Sequence, residues 1–190
     1  MDNQTKEIFG SVIAAVGTII SAIVSTPSNF IKSDLQNDLD LIGNVLQAVG
    51  TALQADGQEE ISLEKVGNEI QAIGNVIVIA GMAIDFEKVT EQKLIITGNW
   101  IQALGGAVAL SDELEDNIAP GQSYNIIGNL LQSIGNSMQA LGGIKDLEQK
   151  NKMYKHLKEH ENGQLLKVSG SWIQATGAVL SSIGQFKEEQ

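Results

Sequence analysis

The sequence contains no cysteine and no arginine. Without cysteine there can be no disulfide, no thiolate metal site and no cysteine nucleophile. The formal net charge is -11 and every strong base is a lysine. Phosphate recognition normally combines a positive field with bidentate arginine, so we expect no nucleic-acid partner. The acidic charge also disfavours binding to an anionic membrane surface.

Proline, aromatic and charged residues are scarce. There are two prolines, aromatics make up 4% of the chain and charged residues 18%, against about 25% charged residues in typical domains. Apolar residues make up 43% of the 190 residues, which is enough for one substantial core. A chain so poor in charge must carry long uncharged segments.

One phrase, Gly-Asn-x-Ile/Leu-Gln-Ala/Ser-x-Gly, recurs along the chain. Clean copies begin at residues 43, 67, 98, 128 and 170, and a degenerate copy runs from Gly10 to Gly17 with Ser11 and Ala14 in place of Asn and Gln. The starts lie 33, 24, 31, 30 and 42 residues apart. Spacings of this size indicate a repeated supersecondary unit that stacks on its neighbours.

Apolar residues within each copy follow a helical period. In the fifth copy they are Ile127, Leu131, Ile134 and Met138, and this alternation of threes and fours marks one helix face. We predict an all-α fold, an up-and-down bundle of about six antiparallel helices of roughly 20 to 27 residues, arranged as three hairpins. One domain spans residues 1–190, with repeat cores near 10–24, 43–56, 67–81, 98–111, 128–142 and 170–184.

Polar, charged segments are predicted to connect these helices. They lie at residues 26–29, 56–60, 85–92, 111–121 and 145–163, the last with a short helix of its own. Both prolines and the glycines Gly57, Gly121 and Gly163 fall in these segments, and such residues are typical of helix ends. Gly57 is accordingly expected to tolerate alanine better than the glycines of the repeat cores, unless its φ is positive.

Glycines spaced seven residues apart are expensive within helices, at roughly 0.8 to 1 kcal/mol each relative to alanine. Close approach of two helix backbones offsets that cost. We therefore predict that the repeat glycines form the seams between helices and that leucine at Gly74 or Gly135 overpacks a seam. The predicted contact glycines are Gly43, Gly50, Gly67, Gly74, Gly98, Gly105, Gly128, Gly135, Gly170 and Gly177.

Amide side chains lie beside the glycine strip on each helix. If they are buried near a seam they must pair with each other or with a carbonyl, and if they are not, they form a solvated polar face. Trp100 and Trp172 occupy the same position in two copies. They are candidates for an interface with a partner subunit, although packing against a second layer of the core is the interpretation that tryptophan's usual burial favours.

Residues with evident chemistry are few. His156 and His160 have the i, i+4 spacing of a helical metal pair, but no third ligand is visible in the sequence and lysines flank them, so we predict no metal site. The carboxylates of Glu59, Glu60 and residues 112–116 lie in connections and are interpreted as solvated charge. We predict no catalytic residue, no cofactor and no small-molecule substrate.

The repeated phrase, the missing cysteine and arginine, and the Lys/Asp/Glu/Gln connections give the chain a family likeness. It resembles the repetitive proteins of unknown function of Bacillus-type Firmicutes, from Gly10 to Gly184. The resemblance implies no activity and no active-site residues.

Two classes of function fit this sequence. The first is a non-enzymatic structural or interaction protein that self-associates, as a homo-oligomer, through uncharged helix faces or binds another protein. The alternative is a membrane-active protein, pore-forming or membrane-inserting, because 24 residues between Glu7 and Lys32 and 18 between Lys93 and Asp112 carry no charge, close to the roughly 20 that span a bilayer. The acidic start lacks the charge of a secretory signal, so we expect a cytoplasmic location, with non-classical secretion to the cell surface as the alternative.

Overall fold

The chain folds into six α-helices in a computed structural model that describes residues 1–28, 31–115, 120–151 and 157–188. No strand occurs in these ranges. The helices are α1 (Asn3–Ser25), α2 (Ser33–Gly57), α3 (Leu63–Ala83), α4 (Lys88–Glu115), α5 (Gln122–Asn151) and α6 (Leu157–Glu188). The predicted all-α fold is confirmed.

Local sequence signals set several helix boundaries. Asp2 precedes α1 and accepts a hydrogen bond from the Thr5 backbone N–H at 2.7 Å. Ser62 accepts one from the Lys65 N–H at 3.0 Å before α3. Caps of this kind contribute about 1 kcal/mol each. Gly121, with φ of 94°, supplies the left-handed residue that the turn into α5 requires.

The six helices form a closed ring in chain order. Contacts are most extensive within the hairpins α1–α2, α3–α4 and α5–α6, and less extensive for α2–α3, α4–α5 and α1–α6. Within the described ranges the backbone of each helix approaches only the two helices beside it in the ring. The predicted bundle of antiparallel helices is therefore confirmed, and its centre is reached by side chains rather than by backbone.

Some predicted boundaries are wrong. Helix α5 has 30 residues and α6 has 32, so most of the predicted 145–163 connection is helical, and α4 continues through Glu115 into the predicted acidic connection. Gly57 is the buried last residue of α2, and Gly163 is buried within α6. Charge and glycine suggested connections at these positions, but both glycines face the neighbouring helix.

The interior of the ring is polar. Among the described residues the buried apolar side chains are only alanine and valine, whereas many asparagines and glutamines are buried. The largest side chains with less than 2% exposure are Asn75, Asn125 and Asn136. A soluble helical bundle normally buries its large aliphatic residues, so the polarity of this ring is reversed.

Candidate functional site

The seams within the hairpins are direct backbone contacts between glycines. A Cβ added at Gly98 would lie 2.6 Å from the carbonyl oxygen of Gly74, and one added at Gly74 would lie 2.8 Å from that of Gly98. Real Cβ atoms essentially never approach an oxygen so closely, so only glycine fits. The ten predicted contact glycines all lie in such pairs, namely Gly17–Gly43, Gly10–Gly50, Gly67–Gly105, Gly74–Gly98, Gly128–Gly177 and Gly135–Gly170.

The prediction that Gly57 tolerates alanine does not fit its position. A Cβ at Gly57 would lie 2.7 Å from the carbonyl oxygen of Asn3 and 3.0 Å from the backbone nitrogen of Glu7. The α1–α2 seam thus continues to the last residue of α2. The sequence did not indicate this contact of Gly57 because the residue stands next to the charged segment that follows α2.

Glutamine side chains connect the three hairpins across the interior. Gln174 of α6 donates through Nε2 to Gln47 Oε1 of α2 at 2.8 Å and to Gln102 Oε1 of α4 at 3.4 Å. Gln139 of α5 donates to Gln174 Oε1 at 2.8 Å. These four residues are called the glutamine layer below. The sequence left burial or solvation of the amides open, and the structure buries them because each repeat turns its amide strip inward.

Between the described residues, one cavity lies in the interior toward each end of the ring. The upper cavity, near the end of α1, has a volume of about 300 Å³, and its lining includes Ser25, Asp40 and the whole glutamine layer. The lower cavity, nearer the start of α1, measures about 20 Å³ and its lining includes Ser11 and Gln185. Only the upper one is large enough for more than a water molecule or two.

The outer surface of the ring is aliphatic. Ile127 and Ile134, from the stripe that marks the fifth copy as helical, are 49% and 42% exposed. The same pattern recurs around the ring, at Val16, Ile23, Ile42, Val45, Val49, Ile73, Val76, Leu104, Leu130, Leu141, Val179 and Ile183. We call this surface the aliphatic belt. An exposed apolar surface of this extent marks contact with protein or with lipid.

The two tryptophans lie on the outer surface as well. Trp100 of α4 is 42% exposed and Trp172 of α6 is 45% exposed. The indole N–H of Trp172 donates to Thr26 Oγ1 at 3.0 Å. These side chains therefore do not pack against a second core layer, although tryptophan's usual burial favoured that interpretation.

Charged residues gather toward the two ends of the ring. Lys6 pairs with Asp56 at 2.8 Å at the start of α1, and Lys167 pairs with Asp146 at 2.5 Å near the other end. The hydrogen bond from Lys6 lowers the pKa of Asp56, and hydrogen bonds from Thr5 lower the pKa of Asp2. Along the sequence, six stretches of 15 residues or more carry no charge: 8–31, 41–55, 70–84, 94–111, 117–144 and 168–186.

Among the described residues, three helices are long and apolar enough to cross a membrane by length and composition. They are Asn3–Ser25, Leu63–Ala83 and Lys88–Ser111. The first has the highest mean hydropathy, 2.2, and half of its apolar window is buried within the ring. The other half of that window is not buried within the ring.

The histidine pair cannot be placed. His156 and the side chain of His160 lie outside the described residues. Among the described residues no group of three or more His, Asp or Glu side chains could hold a metal ion. The prediction that the pair binds no metal stays a prediction.

A model of a family of unknown function, DUF6944, matches residues 5–182. No curated protein and no solved structure matches the chain. The match agrees with the resemblance to proteins of unknown function, at that level and no finer.

Proposed function

The chain belongs to the DUF6944 family of unknown function, and from the reversed polarity of its ring we propose that it is a membrane-inserting protein. In this proposal the aliphatic belt lies against lipid and the amide strips face inward. The protein performs no catalysis of its own. The observation that carries the proposal is that large aliphatic side chains are exposed while asparagine and glutamine fill the interior.

The helix contacts suit a bilayer. Lipid tails provide little hydrophobic drive for helix association, so membrane helices pack through small residues that let backbones approach. The glycine pairs, such as Gly67–Gly105 at 2.6 Å from added Cβ to carbonyl oxygen, are contacts of this type. Polar side chains in membranes face the interior and pair there, as Gln174 does with Gln47.

The positions of charge support the same proposal. The shortest charge-free bodies, 41–55 and 70–84, are 15 residues long, which corresponds to about 22 Å of helix. Typical hydrocarbon is about 30 Å thick, so the ring matches a thin bilayer. A mismatch costs a fraction of a kcal/mol per Å, and insertion should therefore depend on acyl-chain length.

Flotation with neutral phosphatidylcholine liposomes tests this proposal. We expect the protein to float with the vesicles, to resist extraction at alkaline pH, and to insert better into bilayers with 14-carbon chains than with 22-carbon chains. Neutral lipid is used because the net charge of -11 disfavours anionic surfaces. Wild-type protein that stays in the aqueous fraction with both lipids would refute membrane insertion.

A matched pair of triple variants tests whether the aliphatic belt, rather than exposed apolar residues in general, contacts the lipid. Val45→Glu, Val76→Glu and Ile134→Glu place charge on the belt, where these residues are 40%, 56% and 42% exposed. The control places glutamate at Ile61, Ile84 and Val89, which are also exposed but lie at helix ends or in a connection. We expect only the belt variant to lose flotation, with both retaining helical circular dichroism. Equal flotation of the two would exclude the belt as the lipid contact.

A second candidate is self-association through the same surface. It is favoured by Trp100 and Trp172, which are exposed at equivalent repeat positions and are the type of side chain that anchors interfaces. We expect light scattering to show a homo-oligomer that Trp100→Ala with Trp172→Ala weakens and that added salt strengthens by screening. The control is Phe186→Ala with Tyr124→Ala, which should leave the oligomer intact. A monomer at high micromolar concentration in raised salt would exclude this candidate.

A further inference from the structure

The upper cavity is large enough for a small organic molecule. Its volume of about 300 Å³ is at the lower end of the range of roughly 300–1,000 Å³ found for small-molecule pockets. The lower cavity, about 20 Å³, holds no more than a water molecule or two. The two differ in size although the same repeat supplies glutamines to both.

The lining of the upper cavity is dominated by side-chain amides. Eight of its residues are asparagine or glutamine, and three are serine. Each amide presents a donor and an acceptor. A purely apolar ligand would leave these groups unpaired at a cost for each one, so the occupant must carry both donors and acceptors.

Three polar atoms of the lining are buried without a partner in the described part of the chain. Gln102 is 3% exposed and its Nε2 has no acceptor. Gln92 Oε1 and Asp146 Oδ1 have no donor. A hydroxyl can accept from the first and donate to either of the others, whereas an ammonium group has no acceptor for Gln102.

The charges of the lining exclude an anion. Asp40, Glu91 and Asp146 contribute -3 and Lys167 contributes +1, for a formal sum of -2. Lys167, the one positive group among the described lining residues, is already engaged, because its Nζ lies 2.5 Å from Asp146 Oδ2. A carboxylate or phosphate ligand would enter a negative field, and among the described lining residues no free cation would meet it.

We propose that the upper cavity is a binding site for a small neutral polyol. One hydroxyl accepts from Gln102 Nε2, and others donate to Gln92 Oε1 and Asp146 Oδ1. This goes beyond membrane insertion, since the interior is the same whether lipid or another protein covers the aliphatic belt. It also revises the sequence-based expectation that no small-molecule partner exists.

Two ligands with one carbon skeleton test the chemistry: sorbitol and its anionic relative gluconate. Each is titrated into ¹⁵N-labelled full-length protein while the side-chain amide signals are followed by NMR. We expect sorbitol to shift the Gln102 signal saturably and gluconate to leave it unchanged. No saturable shift with sorbitol, or binding of gluconate as tight as sorbitol, would overturn the proposal.

Gln102→Met and Gln71→Met provide the matched variants. Both glutamines are buried at the same repeat position, but Gln102 lines the upper cavity and Gln71 the lower one. Loss of one hydrogen bond should weaken sorbitol binding about three- to tenfold in Gln102→Met, with no change in Gln71→Met. Equal effects, or none from Gln102→Met, would contradict the assignment.

A third variant keeps the test valid should Gln102→Met fail to fold. Met82, in the last turn of α3, lines the same cavity and is only partly buried. Met82→Trp adds bulk to the cavity without removing an amide, and we expect it to abolish the sorbitol shift. Sorbitol binding that survives this substitution would place the site elsewhere and refute the proposal.

Discussion

Gly105 and Gly106 are neighbours in α4 but belong to two different kinds of helix contact. A Cβ at Gly105 would lie 2.6 Å from the Gly67 carbonyl oxygen, in the seam with α3. A Cβ at Gly106 would lie 3.2 Å from the Asn129 carbonyl oxygen, on the side facing α5. Backbone therefore meets backbone within a hairpin, while more room remains between hairpins.

The contacts between hairpins are made largely by polar side chains. Ser133 of α5 donates to the Ala103 carbonyl oxygen of α4 at 2.9 Å, and Gln174 joins α6 to α2 and α4 through the glutamine layer. The hairpins are thus units locked by backbone shape, and the ring is closed by hydrogen bonds that individual substitutions can remove. A ring built this way should lose its closure more easily than its hairpins.

Alanine at the glycine doublet should give the largest contrast between the two contacts. Both substitutions gain roughly 1 kcal/mol of helix propensity, but only Gly105→Ala forces a Cβ into a facing backbone. We expect Gly105→Ala to destabilise the protein by about 2 kcal/mol or more after that gain, and Gly106→Ala to stay within about 1 kcal/mol of wild type. Urea unfolding followed by circular dichroism measures both, and equal effects would remove the distinction between seam and ring contacts.

The seams are the part of the fold that sequence alone predicted in most detail. Glycines seven residues apart, at Gly67 and Gly74 in α3 and Gly98 and Gly105 in α4, indicate close backbone contact because no other residue type allows it. The six helices followed from the period of the aliphatic stripe. Helix ends were placed less well, since the charged stretch before Gly163 resembles a connection although residues 145–151 and 157–163 are helical.

Removing the central glutamine should have an intermediate effect. Gln174→Met keeps the side-chain volume close to constant but removes the hydrogen bond to Gln47 Oε1 and leaves Gln139 Nε2 with only its longer bond, 3.5 Å, to Asn136 Oδ1. We expect a loss of about 1 to 3 kcal/mol, the usual cost of an unpaired buried group. The control is the cycle with Gln47→Met, in which the double variant should cost less than the sum of the singles. Strict additivity would show that this hydrogen bond does not help to close the ring.

Which face of each helix points inward could not be predicted from the sequence. Both the aliphatic stripe and the glycine and amide strips lack charge, so no polarity signal separates inside from outside as it would in a bundle with a charged surface. The decision depends on pairing partners far away in the chain, such as Gln47 and Gln174, 127 residues apart. The upper cavity depends in the same way on residues from all six helices.

The smallest expected effect isolates one hydrogen bond between hairpins. Ser133 and Ser137 both lie in α5 and are partly buried, and changing either to alanine raises the helix propensity by a similar amount. Ser133 donates a hydrogen bond to α4, whereas Ser137 donates to the Ser133 carbonyl oxygen of its own helix. We expect Ser133→Ala to be less stable than Ser137→Ala by about 1 kcal/mol, the net value of a typical hydrogen bond, which corresponds to about 2–4 °C in Tm for a chain of this size. Because each variant loses one hydroxyl and one hydrogen bond, their difference reports the interhelical bond itself. Equal melting temperatures would show that the Ser133 contact does not help to hold α4 against α5.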